Sequence, residues 1–241
     1  MKLAWIHARS STVELLRYRS FSVPTLLFPS AAFLAFGRRI EAPPNVVMAY
    51  YAAFAVMGVA FYQFGVGIAA ERVLPWSVLV RVLPVSAAAR FAARILSALA
   101  FAFASASLLV LLALATVSVD LDARGWARFA VAIALGSVPF ALFKIALGYW
   151  LTPRGALPVA NLLFLGLSYA GGLLSGAGGL PDSVAAVSSY LPTRLWGNLL
   201  VAAVEGRAWR VHDVAGLIAY AGAFAAAASL GYRRDEGERF R

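Results

Sequence analysis

The sequence predicts an all-α fold: a polytopic membrane domain of six transmembrane helices, with an N-terminal amphipathic interfacial helix and short re-entrant helices before the last span. Three observations predict it. Of 241 residues, 62% are apolar and 13% charged, with a mean hydropathy of +0.79, too little charged surface for a water-soluble domain of this size. Several uncharged runs reach the roughly 18–20 residues that a helix needs to cross a hydrocarbon core of about 30 Å. The formal net charge of +10 can be sorted by membrane side. The same composition excludes a disordered chain, a collagen and a coiled coil. The absence of Cys excludes disulfides and thiolate metal sites.

Taken in order, residues 1–19 read as an interfacial elbow helix. Ser11-Thr12-Val13-Glu14 fits a capping box, in which hydroxyl and carboxylate satisfy free amides of the first turn. Leu3, Ile6, Val13 and Leu16 fall near one face, with Trp5 and Tyr18 suited to the membrane interface. Spans are expected at residues 21–36, 46–70, 95–119, 129–151, 157–175 and 214–231. The first contains Pro24 and Pro29 and is followed by Gly37-Arg38-Arg39 rather than a small-residue cleavage site, so it is expected to be retained. Segment 176–210 has Leu180, Val184, Val187 and Leu191 at helical spacing, interrupted by Gly178-Gly179, Pro181 and Pro192. It reads as a turn and two short helices dipping into the outer leaflet. Residues 232–241 are expected as a basic cytoplasmic tail, and 1–241 as one transmembrane domain.

Six spans put both termini on one side. Thirteen basic residues fall there: Lys2, Arg9, Arg17, Arg19, Arg72, Arg81, Arg90, Arg94, Arg154, Arg233, Arg234, Arg239 and Arg241. Seven fall opposite: Arg38, Arg39, Arg124, Arg128, Arg194, Arg207 and Arg210. The positive-inside rule then places both termini in the cytoplasm of a cell inner (plasma) membrane. Topology and contact with anionic membrane lipids account for the basic balance, so no nucleic acid partner is expected.

The most informative stretch follows the second span: Glu71-Arg72-Val73-Leu74-Pro75-Trp76-Ser77-Val78-Leu79-Val80-Arg81-Val82-Leu83-Pro84-Val85-Ser86. A charged pair opens it, its middle is apolar, and Arg90 and Arg94 lead into the third span. Read from the residues alone, it is a short helix parallel to the membrane, with or without a cytoplasmic partner. Glu71, Arg72, Pro84, Val85 and Ser86 resemble, at matching spacing, the first cytoplasmic loop of ABC-2 type transporter permeases. The order of an amphipathic N-terminus, six spans, Leu174-Ser175-Gly176, the outer Tyr190-Leu191-Pro192-Thr193 and a basic end extends the resemblance over nearly the whole chain. Pro75 and Val78 depart from it, where the family often has Gly and an acidic residue.

The resemblance implies the transmembrane subunit of an ATP-driven exporter, whose first cytoplasmic loop docks on a separate ABC ATPase subunit. It implies that ATPase coupling falls to Glu71, Arg72, Trp76, Arg81 and Pro84, and that a second permease chain, identical or homologous, completes the path. The chain has two Lys, Lys2 and Lys144, and neither stands in a G-x-x-x-x-G-K-[ST] loop. It is therefore not expected to be an enzyme and needs no cofactor of its own, ATP being bound by the partner subunit.

Within the spans, Lys144 is the one central charge. It is expected either to meet an anionic substrate or lipid head group or, by the commoner route, to snorkel about 10 Å to the inner surface. Tyr62, Gln63 and Asn161 are further candidates for a translocation path, or else for interhelical hydrogen bonds. Gly172-Leu173-Leu174-Ser175-Gly176 has the spacing of a helix-packing motif. Ser175 and His212 loosely suggest a rhomboid-type protease, but the Gly that should precede the serine motif is absent. A secondary carrier or channel, or a non-transporting scaffold, remains an alternative, although no carboxylate lies within a span and no inverted repeat is evident.

Overall fold

The computed structural model describes residues 19–61, 66–73 and 87–239. Every regular element among them is helical: α1 (Arg19–Phe36), α2 (Pro44–Ala60), α3 (Gly67–Glu71), α4 (Ala87–Thr116), α5 (Ala123–Trp150), α6 (Pro153–Ala170), α7 (Asp182–Ser188), α8 (Pro192–Val204) and α9 (Val211–Arg239). Short 3-10 turns occupy Gly37–Arg39 and Ala177–Gly179. Among the described residues, α5 (28 residues) and the Val211–Asp235 part of α9 (25 residues) are long and apolar enough to cross a membrane. The interfacial helix expected at the N-terminus lies outside the described residues, apart from Arg19 at the start of α1.

Each apolar run falls on a helix, and the local chemistry explains the ends. Pro44 opens α2 and Pro192 opens α8, where a missing N–H is harmless because first-turn amides have no intrahelical partner. The Asp122 carboxylate caps α5 by accepting from the Gly125 N–H at 2.7 Å. The Thr152 hydroxyl caps α6 through the Gly155 N–H at 3.2 Å. α1 runs on through Pro24 and Pro29, and α5 through Pro139.

Two boundaries differ from the sequence reading. α6 stops at Ala170 instead of continuing to 175, because Gly172 (φ +78°) and Gly176 (φ +72°) adopt a backbone conformation that a helix cannot contain. Gly172 and Gly176 therefore form a turn, not a helical packing face. At the other end, α9 continues as helix through residues 232–239.

The core forms around α2, which is apolar on every face and therefore has to be surrounded. Met48, Ala49, Tyr51, Ala52, Ala53, Ala55, Val56 and Met57 are fully buried. α1, α4, α5 and α8 pack on it. Phe54 stacks on Phe164 of α6 with ring centres 4.7 Å apart, and Tyr51 meets Phe33 of α1 edge-on at 5.6 Å. α5 packs most extensively against α9 and next against α8.

The segment expected as two short outer helices does hold two, α7 and α8, but their environments differ. Most of α7 is exposed, whereas α8 buries Leu195, Trp196, Gly197, Leu199, Leu200 and Ala203 between α5, α9 and α2. Trp196 is the anchor. Its indole fills the space left by the missing side chain of Gly136, leans on Phe140 at 5.4 Å, and donates from Nε1 to the Ala132 carbonyl at 2.8 Å.

The outer helices turn large apolar side chains away from the bundle, including Leu111 and Leu114 on α4, Leu162 and Leu165 on α6, and Ile218 and Leu230 on α9. Only 17% of the apolar window of α9 is buried within the chain.

A methyl group at position 136 would collide with the Trp196 ring, while one at Gly166 on α6 meets open space. Gly136→Ala is expected to lose about 2 kcal/mol or more of stability through displacement of the indole and loss of its hydrogen bond. Gly166→Ala is expected to be neutral or slightly stabilising. Thermal unfolding of the two purified variants in detergent checks this; equal midpoints would refute the notch.

Candidate functional site

Of the residues singled out by sequence, Arg72 and Lys144 mark two places along α5. The first is its C-terminal end. Ile68 on α3 is buried with Ile145 and Ala146 of α5 and Ala228 of α9, which seats this five-residue helix against both. Glu71 is its last residue, and the Arg72 N–H closes the turn on the Ile68 carbonyl at 3.1 Å. This delivers the Arg72 guanidinium to the last turn of α5, where carbonyls have no intrahelical partner and the helix dipole favours a cation. Arg72 Nη1 donates to the Tyr149 carbonyl at 3.0 Å, and Nη2 to the Leu151 carbonyl at 2.7 Å. Nη1 also lies 3.1 Å from Oδ1 of Asp235, near the end of α9. Arg72 is only 18% exposed and Asp235 6%, so this pair is shielded far more than a surface ion pair.

Aromatic and small residues build the surroundings. Tyr149 meets Tyr232 edge-on at 5.6 Å, and the Trp150 indole donates to the Ala227 carbonyl at 3.0 Å. The Arg234 guanidinium lies 5.6 Å from the centre of the Trp150 ring. Gly231 lets α9 approach this closely, since a Cβ there would come within 2.9 Å of Tyr149 and 2.8 Å of Trp150. Trp76, Arg81 and Pro84, the rest of the expected coupling set, lie outside the described residues.

The second place is Lys144, six residues before Trp150. Its side chain is completely buried. It does not snorkel to the surface. Nζ donates to the Met57 carbonyl on α2 at 3.3 Å and faces the rings of Phe61 at 4.8 Å and Phe140 at 5.9 Å. Snorkelling fails because the lysine lies on the face of α5 that packs on α2, where the stem is enclosed. Tyr62 and Gln63 lie outside the described residues. Asn161 is half-buried on α6. The described partners of Lys144 are Met57, Phe61 and Phe140, so the structure does not join it to Asn161.

The opposite end of the bundle has its own polar fastening, unforeseen from the sequence. Asn45 and Asp120 exchange hydrogen bonds: Asn45 Nδ2 donates to the Asp120 carbonyl at 2.7 Å, and the Asp120 N–H to Asn45 Oδ1 at 3.0 Å. Arg128 donates to the carbonyls of Ala202 and Arg207 and faces the Trp209 ring at 5.6 Å. A cleft of about 290 Å³ opens beside it, lined by Asp120, Asp122, Arg124, Arg128 and Glu205 among others. Its charges are mixed. The buried Asp213 carboxylate accepts from Asn198 at 3.1 Å and lies 3.6 Å from exposed His212. The Ser175 hydroxyl instead donates to the Gly176 carbonyl at 3.3 Å. Among the described residues, no group of His, Asp and Glu is arranged to hold a metal ion.

No protein-family model, curated protein or solved structure matches this chain.

Lys144 is an enclosed amine facing one carbonyl and two ring faces among the described residues, a weak return for its lost hydration. Lys144→Met is therefore expected to raise thermal stability, by on the order of 1–4 kcal/mol, and Lys144→Glu to lower it. Unfolding of the purified variants is the measurement. A Met variant that unfolds earlier than the parent would mean that the ammonium is a net stabiliser.

Proposed function

We propose that this chain is the membrane-spanning permease subunit of an ABC-2 type exporter. In this reading it forms half of a translocation path in the inner (plasma) membrane, with six spans (α1, residues 46–70, α4, α5, α6 and α9) and both termini cytoplasmic. α7 and α8 form the re-entrant segment on the outer side. A separate ABC ATPase subunit supplies the energy and binds the ATP, and a second permease chain completes the path. The chain is not itself an enzyme.

The observation that carries the reading is the pattern Glu71-Arg72, then Pro84-Val85-Ser86, at the spacing of a coupling loop directly after a long uncharged run. The arrangement around α5 supports it. Arg72 and Arg234 gather at the Trp150 end, while Asp122 and Arg128 lie at the other end, about 40 Å of helix away. Charged groups collect at the two ends, and apolar side chains face outward between them, as hydrocarbon solvent requires. Lys144 lies between the ends, and an ionisable residue at such depth is a candidate for a substrate path. Nucleic acid has no part in this reading, and anionic lipids meet the basic end.

Two experiments test it. Co-expression with a P-loop ATPase encoded beside it is expected to yield a complex that Trp76→Ala or Glu71→Lys weakens by tenfold or more, the loss typical of a central aromatic or charged anchor. Unaltered assembly and unaltered ATP turnover in both variants would refute the coupling role, and solute movement by the chain alone without ATP would favour a carrier or channel. For topology, the absence of native Cys gives a clean background. A membrane-impermeant maleimide applied to intact cells is expected to label Ala208→Cys and spare Gly237→Cys. The reverse pattern, or equal labelling, would overturn the orientation.

A further inference from the structure

At the end of the bundle opposite Trp150, the cleft beside Arg128 holds about 290 Å³, near the lower end of the range of small-ligand sites, about 300–1,000 Å³. One wall is the approach to α5 and its first turns, with Asp120, Asp122, Arg124 and Arg128; the other is the end of α8, closed by Glu205. The start of one helix thus meets the end of another across the cleft. Free amides at the first favour an anion, and free carbonyls at the second favour a cation.

The side chains sharpen this polarity. Arg124 and Arg128, four residues apart, share a face of α5, and both line the cleft. Two cations one turn apart at a helix start repel each other and oppose the helix dipole, a cost that an anion between them reverses. Arg128 is held in place: its Nη2 donates to the Ala202 and Arg207 carbonyls, and the guanidinium faces the Trp209 ring. The Nε and Nη1 donors are left for a ligand. Arg124 is exposed and has no acceptor among the described residues. Asn45 pins the Asp120 main chain, and the Asp120 carboxylate has no partner among the described residues. Asp122 accepts from the Gly125 N–H, and Glu205 pairs with Arg207. Among the described residues no aromatic side chain lines the cleft. It therefore offers carboxylates to a primary ammonium, and lacks the ring faces that hold a quaternary one.

We propose that this cleft binds a zwitterion of the phosphoethanolamine class, its phosphate between Arg124 and Arg128 and its primary ammonium met by the carboxylates, Asp120 foremost. A free phosphoethanolamine ester and the head group of a zwitterionic lipid present the same chemistry. The site stands on the geometry of the cleft; only its place on the outer side of the membrane rests on the topology proposed above.

Two binding measurements on the purified full chain test it, and neither needs an ATPase, so the outcome is independent of the transport reading. Calorimetric titration in detergent uses glycerophosphoethanolamine, with inorganic phosphate and glycerophosphocholine for comparison. Native mass spectrometry of the delipidated chain uses phosphatidylethanolamine against phosphatidylglycerol and phosphatidylcholine. The ethanolamine compound is expected to bind on the order of tenfold more tightly than its comparisons, and Arg124→Ala and Asp120→Asn each to weaken it by about tenfold. Selectivity in the first measurement alone assigns the site to a free solute, and in the second alone to a lipid head group. Arg124→Ala removes a cation from a helix start, so without ligand it is expected to unfold no earlier than the parent, which separates lost binding from lost folding. If it does unfold earlier, the near-isosteric Asp120→Asn decides. Equal binding of phosphate or phosphatidylglycerol would make the cleft a plain anion site and overturn the proposal. So would the absence of binding in both measurements, or ethanolamine selectivity that either variant leaves unchanged.

Discussion

The burial of α2 on all sides constrains the rest of the structure. Ten consecutive positions, Met48 to Met57, are almost wholly enclosed, and none carries a charge. A helix of that kind has no face to offer water, and here other helices close around it. α1 and α4 cover one side, and α5 and α8 another. Such packing depends on close fit. Small residues supply the fit: Ala49, Ala52, Ala53 and Ala55 on α2, Gly136 under Trp196, and Gly231 under Trp150. The polar fastenings then collect at the two ends, where α5 begins beside Asn45 and Arg128 and finishes on Arg72.

Much of this arrangement was legible in the sequence, and the reasons it was or was not are specific. The helices at 46–60, 95–116 and 129–150 were found because uncharged runs of that length leave few other structures. α8 was expected as a short helix dipping into the outer leaflet, with Pro192 counted as an interruption. Pro at the first position instead starts the helix, and Trp196 carries the burial. The extent of α6 was misjudged since Leu173 and Leu174 continue the apolar pattern. Backbone geometry at two glycines, not hydropathy, ends that helix.

The candidate site was legible by residue and not by partner. Lys144 is conspicuous as the one charge in the middle of a long apolar run, but nothing local says that it turns to Met57 and two phenylalanines rather than to the surface. Arg72 is conspicuous beside Glu71, but Asp235 is 163 positions away. In the sequence Asp235 was one acidic residue in a basic end; only the packing of α9 against α5 brings it to the guanidinium.

The Lys144 contact also bears on biogenesis. α2 precedes α5 in the chain, so the Met57 carbonyl and the Phe61 ring are made before the lysine that turns to them. In a bilayer, α5 entering alone would keep its ammonium near the head groups, six residues from the helix end, where lipid phosphates and water satisfy it. The ammonium exchanges those partners for the Met57 carbonyl only when α5 docks on α2. Docking of α5 on α2 and enclosure of the Lys144 side chain are thus one event, because the Met57 carbonyl that receives Nζ belongs to α2.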